Sequence, residues 1–311
     1  MLYIYFLVVA IYSMKHKYNF MFEELKKNIT RYQTFKGSDK ELRLLKETVL
    51  NFSLKQKPNS RKSVKKEYLT FDKLFFSTNK KTGASVLNFN IGSALKCYEC
   101  INGHCKVQED GKKTSCYATR DNKRLPLLIQ YDIINYVVFN SLPLNDIIKQ
   151  VKEAIFKFEA DYVRFNERGS FYSEKSFLKC DAIAKELREY VTCYSYTSNT
   201  ELFFKYHKNS NMVLNLSLGL SDIDKVAVKP YKQSIVINDD RDTVKKVLND
   251  NRFNICVSNC SSCAKCINRH DKKVTAFVNH GPGHNKKLSE LIGMEEFFKL
   301  RKRRNSLKTG F

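Results

Sequence analysis

Eight of the ten cysteines in this 311-residue chain fall in two groups of four. The first is Cys97-x2-Cys100-x4-Cys105-x10-Cys116 and the second is Cys256-x3-Cys260-x2-Cys263-x2-Cys266. Thiolates two to four residues apart on a loop can converge on one metal, because sulfur is a soft ligand for Zn²⁺ and for iron–sulfur clusters and short spacers let the backbone wrap the ion. Four cysteines per group fit a four-thiolate zinc site, with His104 or His270 as substitutes. The run Cys260-x2-Cys263-x2-Cys266 also has the close spacing that holds three corners of a cubane cluster, with Cys256 or a remote residue as the fourth ligand. Spacing leaves iron and zinc both open. A disulfide framework is the bland alternative, but a chain of this length can bury roughly three quarters of its unfolded surface without such staples. The remaining pair, Cys180 and Cys193, reads as core packing rather than ligation.

A second constellation lies at Arg164-Phe165-Asn166-Glu167-Arg168-Gly169-Ser170-Phe171. It combines two guanidinium groups, a carboxylate and a flexible glycine. Arg164 and Arg168 can grip a carboxylate or phosphate, with Glu167 as acid, base or ribose ligand. The plainer reading is a helix start, since Ser173 is followed by Glu174 and then Ser176. Neither GxGxxG nor GxxxxGK[ST] occurs, which argues against a nucleotide-hydrolysing P-loop. The stretch His280-Gly281-Pro282-Gly283-His284 reads first as a turn and second as a source of imidazole ligands. The His-hydrophobic-His pair of a rolling-circle nuclease is absent.

The elements that must position these groups alternate. Residues 86–91 read as a strand running directly into the first cysteine group, and residues 253–257 as a strand running into the second. Between them the pattern predicts helices at 125–140, 145–159, 174–189, 199–207 and 242–249, with strands at 161–166, 190–196, 212–216 and 234–238. A last strand falls at 274–279. Upstream, apolar residues at helical spacing predict two helices, around Phe22–Ile29 and Leu42–Val49, the second capped by Ser38 or Asp39. Alternating β and α units over about 200 residues imply an α/β fold with a mainly parallel sheet, which we expect to form an incomplete (β/α) barrel. In such folds chemistry gathers at the carboxyl ends of the strands. The expected organisation is an apolar leader, helical extension and basic linker over 1–66, an α/β cysteine-cluster domain over 67–285, and a basic C-terminal helix or tail over 286–311.

Lys and Arg number 55 against 32 Asp and Glu, a formal charge of +23. Basic segments at 55–66, 120–124 and 299–304 interleave with aromatics such as Tyr68 and Phe298, the pattern of a nucleic-acid-binding surface; solvated lysines are the default for any one of them. The first thirteen residues are apolar but fall short of the roughly 20 that span a bilayer, and they lack the basic region and cleavage site of a secretory signal. A start at Met14, a packed leader and a membrane anchor rank in that order, so we expect a cytoplasmic protein without membrane partners.

Several segments in order, LNFNI (87–91), the cysteine group ending Cys116-Tyr117-Ala118, VRFNERGSFYS (163–173), CYSYT (193–197), LNLSLG (214–219), and CVSNCSSCAKC (256–266) before FVNHG (277–281), resemble the bacteriophage gene product 88 family. The resemblance covers about residues 86–283. It implies kinship with radical-SAM barrels, in which a cysteine loop after the first strand holds a [4Fe–4S] cluster, and a link to phage replication. It marks Gly169 and Tyr117 as cofactor-binding candidates and Arg164, Glu167, Arg168 and Ser170 as catalytic ones. Where the family has an acidic residue after the glycine of its SGDFY motif this chain has Ser170, so that carboxylate's role does not carry over; Glu167 is the nearest acid. S-adenosylmethionine needs one iron left open, so four protein thiolates on one cluster would favour electron transfer or structure instead. The expectation is thus an iron–sulfur metalloprotein of radical-SAM type; a zinc-stabilised nucleic-acid-binding protein of phage replication is the alternative.

Overall fold

The computed structural model describes residues 39–54, 64–79, 83–92, 126–220, 222–257, 263, 265–278 and 284–305. The apolar leader, the helix expected near Phe22–Ile29, Cys97, Cys100, Cys105, Cys116, Tyr117, Cys260 and His280 lie outside these residues.

Eight strands form one sheet: β1 (Ser77–Asn79), β2 (Gly83–Phe89), β3 (Tyr162–Phe165), β4 (Thr192–Thr197), β5 (Val213–Leu220), β6 (Gln233–Ile237), β7 (Phe253–Ile255) and β8 (Val274–Val278). Their spatial order is β1-β2-β3-β4-β5-β6-β8-β7, parallel throughout except for the antiparallel β1–β2 hairpin. The sheet is open, with β1 and β7 at its edges.

From β2 to β6 each strand is laid beside its predecessor in one direction. A right-handed crossover repeated in one direction returns to the same face every time, so the connecting helices collect on one side. They are α2 (Pro126–Ser141) and α3 (Leu144–Phe158) before β3, α4 (Glu174–Leu187) before β4, and α5 (Thr200–Tyr206) before β5. The step from β7 to β8 runs backwards, because β8 sits between β6 and β7. Handedness then sends that connection over the opposite face, where its residues Cys266 and Ile267 pack. Cys263 and Cys266 of the second cysteine group are among its described residues.

Local chemistry explains the helix ends. Ser173 and Ser176 form a reciprocal capping box at the start of α4, Asn199 caps α5 through the Leu202 N–H, and Asp240 caps α6 (Arg241–Asn249) through the Thr243 N–H. The α3 residues Ile147, Ile148, Val151, Ala154 and Ile155 form one apolar stripe, and the helix stops where Glu159 turns left-handed at φ 48° and the Ala160 N–H reaches back to the Ile155 carbonyl. The helix α2 is different: residues 129–139 are all buried, the polar Gln130, Asp132 and Asn135 among them. The upstream helix α1 (Asp39–Leu54) packs against it, with Leu45 and Val49 in the same core as Ile133. At the other end α7 (His284–Ile292) and α8 (Met294–Asn305) contribute Leu288 and Phe297 to the core beneath β6–β8.

The two faces of the sheet differ in kind. On the helix side lie Leu87, Phe89, Val163, Phe165, Leu214, Leu216, Ile235 and Ile237. Strand alternation puts Asn88, Arg164, Tyr194, Tyr196, Asn215, Ser217, Ser234 and Thr275 on the other side. That side is polar, and it is covered by the return segment: Cys266 and Ile267 pack on Val86, Tyr194 and Val213.

Candidate functional site

The site is built at the carboxyl ends of β2–β4 and on the polar face beneath Cys266. At the strand ends, Asn166 follows β3 in the left-handed region (φ 55°), which Asn tolerates, and its N–H donates to the Phe89 carbonyl. That turn brings the Arg168 backbone N–H to Asn90 Oδ1 at 3.3 Å and its guanidinium into α2, where Nη2 lies 2.7 Å from Asp132 Oδ1. Both side chains are buried, Asp132 at 2 % exposure and Arg168 at 7 %. Burial raises the Asp132 carboxyl to about 6; the Arg168 cation pulls against this and Glu167 adds to it. Asp132 Oδ2 has no hydrogen-bond partner.

Neighbouring amides tie this layer together. Asn135 donates through Nδ2 to the carbonyls of Phe75 (2.8 Å) and Asn90 (2.6 Å), and its Oδ1 accepts from the Phe75 N–H (2.7 Å). Ser170 and Thr197 share a hydroxyl–hydroxyl bond of 2.8 Å that links the β3 and β4 ends, and Gly169 turns the chain between them at φ 78°. Gly92, where the chain leaves β2 for the first cysteine group, lies against α2. A Cβ there would stand 2.5 Å from the Tyr136 Cβ and 2.8 Å from the Asp132 carbonyl.

On the polar face, Arg164 lies over the Tyr196 ring, 5.1 Å from its centroid. The Tyr196 hydroxyl donates to the Cys266 thiol. Burial pushes that thiol up, and so does Cys263, while the Tyr196 hydrogen bond and the cations of Lys232 and Arg164 pull it down. The backbone carrying Cys266 is held firmly. Asn215 donates to the Cys266 carbonyl (3.1 Å), Lys232 donates through Nζ to the carbonyls of Lys265 (2.5 Å) and Asp271 (2.8 Å), and Arg269 donates to those of Ser210 and Met212. Cys256 stays in sheet register, its N–H donating to the Ala276 carbonyl. Among the described residues no three His, Cys, Asp or Glu side chains group to hold a metal. Cys180 and Cys193 lie in the core, where burial drives both thiols up, Cys193 to about 12. His270 is exposed.

The structure therefore separates the two guanidinium groups that sequence placed together: Arg168 meets Asp132 at the rim, and Arg164 meets Tyr196 and Cys266 on the polar face. It also adds Asp132, Asn135, Asn88, Tyr196, Asn215 and Lys232. Asp132 carried a signal, as the one charged residue in the helix PLLIQYDIINYVVFNS. Asn88 and Asn215 were visible as the polar alternates of LNFNI and LNLSLG.

These features define a class: an open, mainly parallel α/β protein with one helix-covered face, one polar face, and a cysteine segment returning over the latter. The chain belongs to the gene product 88 family, whose model matches residues 52–269, more than two thirds of its length. The match begins upstream of the resemblance seen in sequence, within α1, and ends at Arg269, before FVNHG. No curated protein and no solved structure matches the chain. No described helix is long and apolar enough to cross a membrane.

Proposed function

We propose that this chain is a phage-type metalloprotein in which the cysteines hold an iron–sulfur cluster. Cys97, Cys100, Cys105 and Cys116 would bind beyond β2, and Cys256, Cys260, Cys263 and Cys266 would hold a second metal over the polar face. The observation that carries this reading is the placement of Cys266, beside Cys263 and facing the cations of Arg164 and Lys232. A buried thiol is an inert core group unless something favours its thiolate, and cations facing a metal–thiolate centre balance its negative charge. The donor set thus fits a thiolate-bound metal. The sequential strand order and single-sided helix layer suit an incomplete barrel, where a cluster at the carboxyl rim reaches both faces. When bound, such a cluster supplies one-electron transfer, and with one iron open it binds S-adenosylmethionine. Arg164, Tyr196 and Lys232 orient and neutralise Cys266, and Asn215 fixes the backbone behind it.

Anaerobic purification followed by iron, acid-labile sulfide and zinc analysis tests this reading. Iron with matching sulfide and a brown chromophore that Cys116→Ser bleaches is the expected result. Stoichiometric zinc in a colourless protein refutes it and leaves a zinc-ordered scaffold, whose +23 charge would then be assayed against DNA and RNA at several salt concentrations.

A further inference from the structure

Asn88 sits near the carboxyl end of β2 on the polar face, with no exposed surface, and neither its Oδ1 nor its Nδ2 has a hydrogen-bond partner. An amide left in this state is destabilising, and a buried polar group without a partner needs a reason. Register supplies one. Asn88 is paired with Ser77 of β1 and with Arg164 of β3, so residues bearing a hydroxyl, an amide and a guanidinium stand in a row on one face of adjacent strands, their backbones about 5 Å apart. The Tyr196 ring beneath the Arg164 guanidinium holds it toward the carboxyl end of the sheet. Two further polar atoms on the same face, Asn215 Oδ1 and Thr275 Oγ1, also lack partners.

We propose that Ser77, Asn88 and Arg164 form a binding site for a small oxyanion, a carboxylate or phosphate that also carries an O–H or N–H donor. Arg164 supplies the charge, Asn88 Nδ2 donates to an anionic oxygen, and Asn88 Oδ1 accepts from the ligand's donor. The site shares Arg164 with the surroundings of Cys266 but uses no cysteine as a ligand, and its anion response is read in the same way whichever metal the cysteines hold.

The test is thermal unfolding of the purified full chain in inorganic phosphate, glycolate or acetate, with chloride at matched ionic strength as reference. Phosphate and glycolate should raise Tm, by about 3 °C at ten times their Kd, and acetate, which has no donor, by less. Asn88→Leu, close in volume and without the amide, should raise Tm in chloride and abolish the anion-dependent rise. Asn88→Asp places a carboxylate against Arg164 and should also abolish it, so the question stays open to measurement if the leucine variant fails to fold. No anion-specific rise in the wild-type chain overturns the proposal, as does an equal rise in either variant.

Discussion

Asp132→Asn isolates the buried pair at the strand ends. The wild-type carboxyl titrates at about 6 instead of its usual 3.8, because burial disfavours the carboxylate more than Arg168 favours it. A carboxyl raised in the folded state keeps its proton longer there than in the unfolded chain. The stabilisation is therefore complete below pH 4 and is lost as pH rises through 6. A shift of about two units is worth about 3 kcal/mol at roughly 1.4 kcal/mol per unit. The amide of the variant has the shape of the protonated acid, can still accept from Arg168 and cannot ionise. Urea unfolding of both proteins from pH 4 to pH 7.5 should therefore show the variant gaining about 3 kcal/mol on the wild type, whatever constant offset separates them. Parallel curves would mean that Arg168 outweighs burial and that Asp132 is an ordinary ionised partner. That outcome would refute the account of this layer altogether, since a carboxyl that folding does not raise leaves stability flat above pH 4.

Gly92→Ala should lower stability by more than about 2 kcal/mol in the same urea assay, since its Cβ would meet the Tyr136 Cβ and the Asp132 carbonyl at a backbone φ of 79°. An unchanged midpoint would show that β2 and α2 are not clamped where the first cysteine segment departs. Cys180→Ala and Cys193→Ala should leave metal content per chain unchanged, whereas Cys266→Ser should reduce it; loss of metal in either core variant would move the ligand set into the α4–β4 interface.

Much of the fold was legible because local signals agreed with one another. The strand at Tyr162–Phe165 lies between two amphipathic stretches, and the Ser173–Ser176 box announced α4 in advance. The hairpin strand β1 was not seen, because Ser77–Asn79 is three residues long and polar, without alternation to read. The mainly parallel α/β sheet was legible, but its last two strands exchange places in space, and no local pattern encodes such an order. The same limit hid the position of Cys266. Spacing showed that it could bind a metal, but only the backward step from β7 to β8 sends it across the sheet to Arg164 and Tyr196. Arg164 and Arg168 were paired on sequence proximity, yet an even strand position and a turn beyond the strand end face different layers.

The alternation within these strands carries more information than fold class. Parallel strands covered on both faces normally read as continuous apolar runs, because neither side meets water. Here LNFNI, YVRF and LNLS alternate instead, as half-exposed antiparallel strands do, although the sheet is parallel and Asn88, Asn215, Ser234 and Thr275 are all buried. Exposure cannot explain the pattern, since the return segment covers the face. Stability cannot explain it either, since several of these groups lack partners and apolar side chains of the same volume would fit the cover better. Asn215 and Ser234 do bond to the chain itself, through the carbonyls of Cys266 and Leu216, which leaves the Asn88 amide, Asn215 Oδ1 and Thr275 Oγ1 as the groups that neither account explains. Those groups lie on the face for which the anion site at Asn88 is proposed, and polar alternation in strands whose connections require a parallel sheet is what such a site would need.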